Sequence, residues 1–297
     1  MMPAGPATGP AGDPSITVWF GNYYTEHDLP VRMKNGSVLI AVAVAVIVTC
    51  ACTMIVMNDD TPDEKHRIGI IGAMDSEVSS LKDSMNIERT ETVAGMDFCI
   101  GTLDGKDVVV VKCGMGKVNA GICANTMINE FGVDRVINTG VAGSLDNVLD
   151  IGDIVISTEA VQHDYDVSPI GFAKGEIPYT GLVSFPADAS LITAAEQAVN
   201  ECAPEIKYVK GRVCSGDQFI NTSEQKDRIT SEFGGMCCEM EGGAIAQACH
   251  LNGVPYVIIR AISDKSDGSQ HQEYAEFEQL AAQRCASIVH YLVMHCA

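Results

Sequence analysis

Residues 67–78 read RIGIIGAMDSEV. Ile68, Ile70 and Ile71 predict a buried strand, Gly72 a tight turn, and the residues after it the start of a helix. Strand-turn-helix units of this kind often hold phosphate, because the free N–H groups of a helix start attract anions. This turn contains no lysine or arginine and leads into Asp75, Ser76 and Glu77. It presents acid where a phosphate binder presents a cation.

The same rhythm continues to the C-terminus. Strands are expected at 67–73, 96–103, 107–114, 135–143, 153–164, 208–217 and 255–264. Helices are expected near 75–86, 117–131, 188–202, 223–233, 240–252 and 272–295. Near-continuous apolar strands such as YVIIRAI (256–262), separated by helical segments, predict a sheet covered on both faces. Residues 67–297 therefore read as one α/β domain.

The first 66 residues differ. Residues 1–36, opening MMPAGPATGPAGDP, are expected to be disordered. SVLIAVAVAVIVTCACTMIVM (37–57) carries no charge, and as a helix it would span about 31 Å, close to a bilayer core. It predicts a transmembrane or signal helix, joined to the domain by a linker at 58–66. Arg32 and Lys34 precede the run, and Asp59, Asp60, Asp63 and Glu64 follow it. That asymmetry, blunted by Lys65 and Arg67, favours a single-pass protein with the domain outside the cytoplasm. A stretch beginning at Met33 also has the layout of a signal sequence, so anchor and cleaved signal both remain open.

The formal net charge is −20, and residues 67–297 hold 16 basic against 32 acidic side chains. Such a surface repels phosphate backbones, which argues against nucleic acid and for a small neutral or zwitterionic ligand. The twelve cysteines include no CxxC pair and lie mostly in apolar stretches, so they read as buried thiols rather than metal ligands. No metal or cofactor is expected.

In open α/β folds ligands bind at the carboxyl ends of the strands. Three such places deliver a carboxylate: Glu77, Glu241 and Asp264. Acids in a first helical turn also complement the helix dipole, so Asp75, Glu77, Glu239 and Glu241 have a capping alternative. Asp264 ends a strongly apolar strand before the loop-like KSDGSQ and has less capping work to do. GMGKVNAG (114–121) opens a helix with glycines but lacks the full phosphate-loop pattern. NTGVAGSL (138–145) reads as a small-residue turn that lets a ligand approach the backbone. His163-Asp164 reads as a structural hydrogen bond.

Eight stretches, in order, resemble the 5'-methylthioadenosine/S-adenosylhomocysteine nucleosidases of the nucleoside phosphorylase superfamily. They are IGIIGAMDSEV (68–78), KCGMGKVNAG (112–121), INTGVAGSLD (137–146), GDIVIS (152–157), VQHDYDV (161–167), SGDQFI (215–220), EMEGGAIAQAC (239–249) and VPYVIIRAISD (254–264). The resemblance implies a three-layer α/β/α fold with a central mixed, twisted sheet. It also implies hydrolysis of the N-glycosidic bond of adenine thionucleosides. By motif match Glu77 would activate water, Asp264 would protonate adenine at N7, and Glu241, beside Met240, would hold the ribose hydroxyls. Phe219 would stack on the base, Ile220 would meet its edge, and Arg260 and Ser263 would support the acids. Met74, Met115, Glu239 and Tyr274 would complete the pocket.

That chemistry suits two acids in different environments, one anionic and one protonated. Asp264, beside an apolar strand end, is expected to have the higher pKa, and Glu77, at a helix start, to remain anionic. The resemblance further implies a homodimer in which the 167–180 loop, with Ile170 and Pro178, closes the thioether pocket of the partner subunit. Two positions depart from the family pattern. Val141 stands where serine is found in several relatives, and Ile170 where an aromatic residue is commoner. Other purine nucleosides of the aminodeoxyfutalosine type, phosphorolysis, and a non-catalytic nucleoside-binding module are the alternatives.

Overall fold

The computed structural model describes residues 66–266 and 274–295. The expectations for residues 1–36, 37–57 and 58–65 lie outside the described residues. Among the described residues no helix is long and apolar enough to cross a membrane.

The chain begins with β1 (Arg67–Gly72), α1 (Asp75–Ser84) and three consecutive strands, β2 (Asn86–Val93), β3 (Met96–Leu103) and β4 (Lys106–Lys112). Next come α2 (Lys117–Phe131), β5 (Arg135–Ser144), β6 (Ile154–Gln162) and a 3-10 turn at Ser168–Ile170. The short β7 (Ser184–Pro186) leads to α3 (Ala189–Cys202) and β8 (Tyr208–Ser215). The last elements are α4 (Ser223–Phe233), β9 (Cys237–Glu239), α5 (Gly242–Asn252), β10 (Tyr256–Asp264) and α6 (Tyr274–His295).

Three strands lie where the sequence reading places none. β2 is exposed along nearly its whole length and carries no buried alternation to announce it. It forms by pairing antiparallel with β3 across Ala94-Gly95, both at positive φ (52° and 78°), as a type I′ hairpin requires. β7 and β9 are three residues each and exist through their partners, β6 on one side and β5 with β8 on the other. NTGVAGSL is not a turn: Asn138–Ser144 continue β5 as strand.

The sheet is mixed, in the order β10-β6-β8-β9-β5-β1-β4-β3-β2. Because β10 also pairs with β5, five strands close into a ring, and β1, β4, β3 and β2 extend from it as an open sheet. β1 lies parallel to both β4 and β5, and β5 parallel to β10, so their carboxyl ends converge.

Alternation along the central strands sorts side chains into two cores. Ile68, Ile70, Val108, Val110, Val257 and Ile259 pack with Val78 and Leu81 of α1, Leu191 and Val199 of α3, and Ile288 and Leu292 of α6. Ile71, Val109, Val111 and Ile258 pack with Cys123 and Met127 of α2 and Ile245 and Cys249 of α5. Helices therefore cover both faces, giving the expected α/β/α layers. A third cluster seats Ile229 and Phe233 of α4 on Val161, Cys214 and Cys238.

Phe98 of β3 is fully buried and stacks on Phe131 at a centroid separation of 4.8 Å. Its truncation leaves a cavity that neighbouring strands cannot fill. Phe98→Ala is expected to cost about 3–5 kcal/mol of stability, measured by denaturant unfolding.

Candidate active site

A cavity of about 550 Å³ opens where β1, β5 and β10 end and α5 begins. Ala73, Met74 and Glu77 enter it from the β1–α1 turn, and Val141, Ala142 and Gly143 from β5. Met115 stands before α2, and Gln218, Phe219 and Ile220 follow β8. Cys238, Glu239, Met240 and Glu241 bridge β9 to α5, while Ser263, Asp264 and Ser266 close the end of β10. Ten residues singled out from sequence thus meet at one place, drawn from segments nearly 200 residues apart.

Glu77 is 1% exposed, yet its carboxyl is well supplied with donors. Oε2 accepts from the backbone N–H groups of Ala73 (2.6 Å) and Met74 (2.9 Å), and Oε1 from that of Val141 (3.0 Å). The capping reading and the site reading are both realised, since the carboxyl satisfies the α1 start and faces the cavity. Burial pushes the Glu77 pKa upward, while Arg260 and the three N–H groups oppose that shift. The balance differs from the sequence expectation of an acid held anionic by the helix start alone. A carboxyl with raised proton affinity is the stronger base.

Glu239 and Glu241 divide the work at α5. Glu239 accepts from the N–H groups of Glu241 (3.1 Å) and Gly242 (2.8 Å), from Ser215 Oγ and from Arg260. Its oxygens are thus committed to the protein. Sequence reasoning placed it among the substrate contacts; it lines the cavity, and its carboxyl also accepts from the first N–H groups of α5. Glu241 accepts from the Gly116 N–H at 2.8 Å. Its pKa is pushed up to about 7 by burial, with the neighbouring Glu239 adding and Arg260 opposing.

Arg260 does not line the cavity. It is 1% exposed and lies beneath these acids, with Nη2 paired to Glu239 and 3.6 Å from Glu241 Oε2, and Nη1 3.9 Å from Glu77 Oε1. Asn138 also accepts from Nη2 at 2.6 Å and donates to the Ile71 carbonyl at 2.9 Å, tying β10 to β5 and β1. Neither Asn138 nor Gly140 was singled out from sequence. At Gly140, with φ near 156°, an added Cβ would overlap both Glu77 and Arg260. Glycine here is the condition for the two charges to meet.

Asp264 sits apart from the arginine. A β-bulge between Ile262 and Asp264 interrupts the alternation of β10, so that Ser263 and Asp264 both face the cavity. Ser263 Oγ lies 3.0 Å from Asp264 Oδ2, and Oδ1 accepts from the Ser266 N–H at 2.8 Å. Cys238 and Ser266 add a thiol–hydroxyl contact of 3.3 Å beside it. An isolated cysteine and serine carry no signal that would have placed them there from sequence.

The expected role of Ile170 and Pro178 concerns the pocket of a partner subunit, which a single chain does not test. Ile170 is 73% exposed and Pro178 half-buried, and neither lines this cavity. Tyr274 begins α6, but its side chain lies outside the described residues. The α2 start is already occupied by carboxylates: Glu241 on the Gly116 N–H and Asp217 on the Lys117 N–H at 2.8 Å. GMGKVNAG therefore opens a helix whose anion site the chain fills itself. His163 and Asp164 do not pair with each other; Asp164 holds Lys117 Nζ at 2.5 Å and the Asp217 N–H at 2.8 Å.

Residues 67–293 match the Phosphorylase superfamily. A 5'-methylthioadenosine/S-adenosylhomocysteine nucleosidase of Shewanella halifaxensis is 42% identical over 224 residues, spanning 75% of this chain and 96% of its own. The crystal structure of such a nucleosidase from Neisseria meningitidis, in complex with methylthio-immucillin-A, aligns with a TM-score of 0.74 at 38% identity. It covers 77% of this chain and 99% of that one. The futalosine hydrolase of Helicobacter pylori aligns with a TM-score of 0.74 at 32% identity, over 78% and 99%. With a family model and relatives aligned across the whole domain, the chain belongs to the 5'-methylthioadenosine/S-adenosylhomocysteine nucleosidases of the phosphorylase superfamily.

Proposed function

We propose that this protein hydrolyses the N-glycosidic bond of 5'-methylthioadenosine and S-adenosylhomocysteine, releasing adenine and a 5-thioribose. The observation that carries the reading is the composition of the cavity. It brings Glu77 and Asp264 together with Glu241, and among the described residues that line it there is no lysine or arginine. A phosphorylase must hold a phosphate dianion, and four carboxyl groups around one cavity oppose that.

Loss of the base leaves positive charge on the sugar and negative charge on the leaving group. Asp264 donates its proton to adenine N7 as the C1′–N9 bond breaks, and the bonding pair stays on the base. Glu77 takes a proton from water as the oxygen bonds to C1′. Glu241 accepts from the ribose hydroxyls. Phe219 stacks on adenine, and the Ile220 backbone meets its edge. Met74, Met115 and Met240 form an adaptable apolar wall for the thioether. Arg260 and Glu239 hold these groups in place without touching substrate. Val141 contributes its backbone N–H to Glu77, a contact for which its side chain does not matter.

Adenine release from methylthioadenosine is expected to proceed at the same rate with and without phosphate, as followed by a coupled absorbance assay. Phosphate-dependent turnover would assign phosphorolysis instead. Preferential cleavage of a futalosine-type nucleoside would support the second reading, which the Helicobacter relative motivates. Asp264→Asn and Glu77→Gln are each expected to lower kcat on the order of a hundredfold or more, with circular dichroism showing the fold retained.

The same reading includes a homodimer and a membrane tether. Exposed Ile170 and Tyr179 on the 167–180 loop supply an apolar surface suited to a partner. Light scattering of the purified domain is expected to give twice the monomer mass. Residues 37–57 would tether the domain outside the cytoplasm. Protease added to intact cells is then expected to degrade it, and full protection would reverse the orientation.

A further inference from the structure

Lys117, the first residue of α2, carries a side chain only 15% exposed that the reaction outlined above does not use. Its Nζ donates to Asp164 Oδ1 at 2.5 Å and to Gln162 Oε1 at 3.1 Å, both where β6 ends. Its backbone N–H donates to Asp217 Oδ1 at 2.8 Å, and the Asp217 N–H donates to Asp164 Oδ2 at 2.8 Å. Lys117, Asp164 and Asp217 thus form a closed ring in which each residue bonds the other two. The ring ties together the start of α2, the end of β6 and the end of β8.

It meets the cavity at two points. Asp217 is followed by Gln218, Phe219 and Ile220, all of which line the cavity. Gly116, one residue before Lys117, gives its N–H to Glu241 Oε1 at 2.8 Å. Consecutive N–H groups at the start of α2 therefore hold the carboxyl at the head of α5 and the loop after β8. Gly116 has a φ of 98°, and a Cβ there would lie 3.2 Å from Asp217 Oδ1, so the loop crosses close against the helix start. Burial raises the Asp164 pKa, but the Lys117 hydrogen bond, the Asp217 N–H and the Lys117 charge outweigh it, and the net shift is downward. The ring therefore contains an ion pair with both side chains mostly out of water, where removing one partner leaves the other uncompensated.

We propose that Lys117 and Asp164 are positioning residues for substrate binding, their ion pair setting the start of α2 against the loop after β8 and so fixing Phe219 and Ile220 at adenine and Glu241 at the ribose. This rests on the roles given above to Phe219, Ile220 and Glu241. Neither Glu77 nor Asp264 is a member of the ring. Stacking on the base and hydrogen bonds to the ribose are made in the bound substrate as well as in the transition state. Loosening them raises KM and leaves kcat nearly unchanged.

Lys117→Met and Asp164→Ala are each expected to raise KM for methylthioadenosine about tenfold, with kcat within about twofold of wild type. The Kd for adenine, measured by titration calorimetry, is expected to rise by about the same factor as KM. The double variant is expected to bind no worse than the weaker-binding single, because either change opens the same ring. Folded variants with wild-type KM and adenine Kd would overturn the proposal. So would losses that multiply in the double variant, or a fall in kcat at constant KM. Should either single variant not fold, Asp164→Asn keeps an acceptor for the Asp217 N–H, removes the charge, and gives the same readings. Adenine release by the wild type, followed alongside, separates the layers. With no release the hydrolase reading fails, and the adenine Kd still reads the ring; with release and variants that match wild type, only this proposal fails.

Discussion

The guanidinium of Arg260, buried in the middle of the sheet, is shared by Glu77, Glu239 and Glu241. Three carboxyl groups in a space that excludes water would otherwise repel one another or take up protons. One central cation lets them coexist, and much of the surrounding structure follows from its placement. β10 must run beside β5, so that Asn138 can anchor the same guanidinium. Residue 140 must lack a side chain, because the Glu77–Arg260 contact passes through the space a Cβ would fill. α5 must begin where it does, because Glu239 spends its oxygens on both the helix start and the arginine. Removing one member of such a buried cluster typically costs about 3–5 kcal/mol, since the others are left uncompensated.

The same arrangement separates the two acids chemically. Glu77 lies over the arginine and accepts three backbone N–H groups, whereas Asp264 is held by a hydroxyl and one backbone N–H at the far side of the cavity. Two carboxyl groups in one small pocket are therefore held by different partners, one over a buried cation and one away from it. The bulge at Ser263 makes the separation possible by turning Asp264 out of the alternation that buries Arg260.

Much of this was legible in the sequence because it rests on local periodicity. The apolar runs of β1, β4 and β10 announce strands buried on both sides, and the carboxylates at their ends mark the cavity. What the sequence conceals is pairing. β2 has no apolar face, and β9 is too short to show one, yet both are strands because a neighbour supplies their hydrogen bonds. Closure of β10 onto β5 is likewise a long-range fact that no window of residues contains. Within the site, the carboxylates could be found from position alone. The division of labour between Glu239 and Glu241 could not, since it depends on which carboxyl the buried arginine reaches. Asn138 escaped notice for a related reason: it acts through a contact with a segment distant in sequence.

The polarity of β2 has a consequence for how copies of this chain can coexist. The ring closes one end of the sheet, so β2 is its long open edge, carrying Glu88, Arg89 and Glu91 on an exposed strand. An apolar edge of that length would template pairing with the next chain it met. Charged residues at this rim make strand addition unfavourable. Copies of this chain at high concentration could then remain separate along this edge, with assembly left to faces other than the sheet margin.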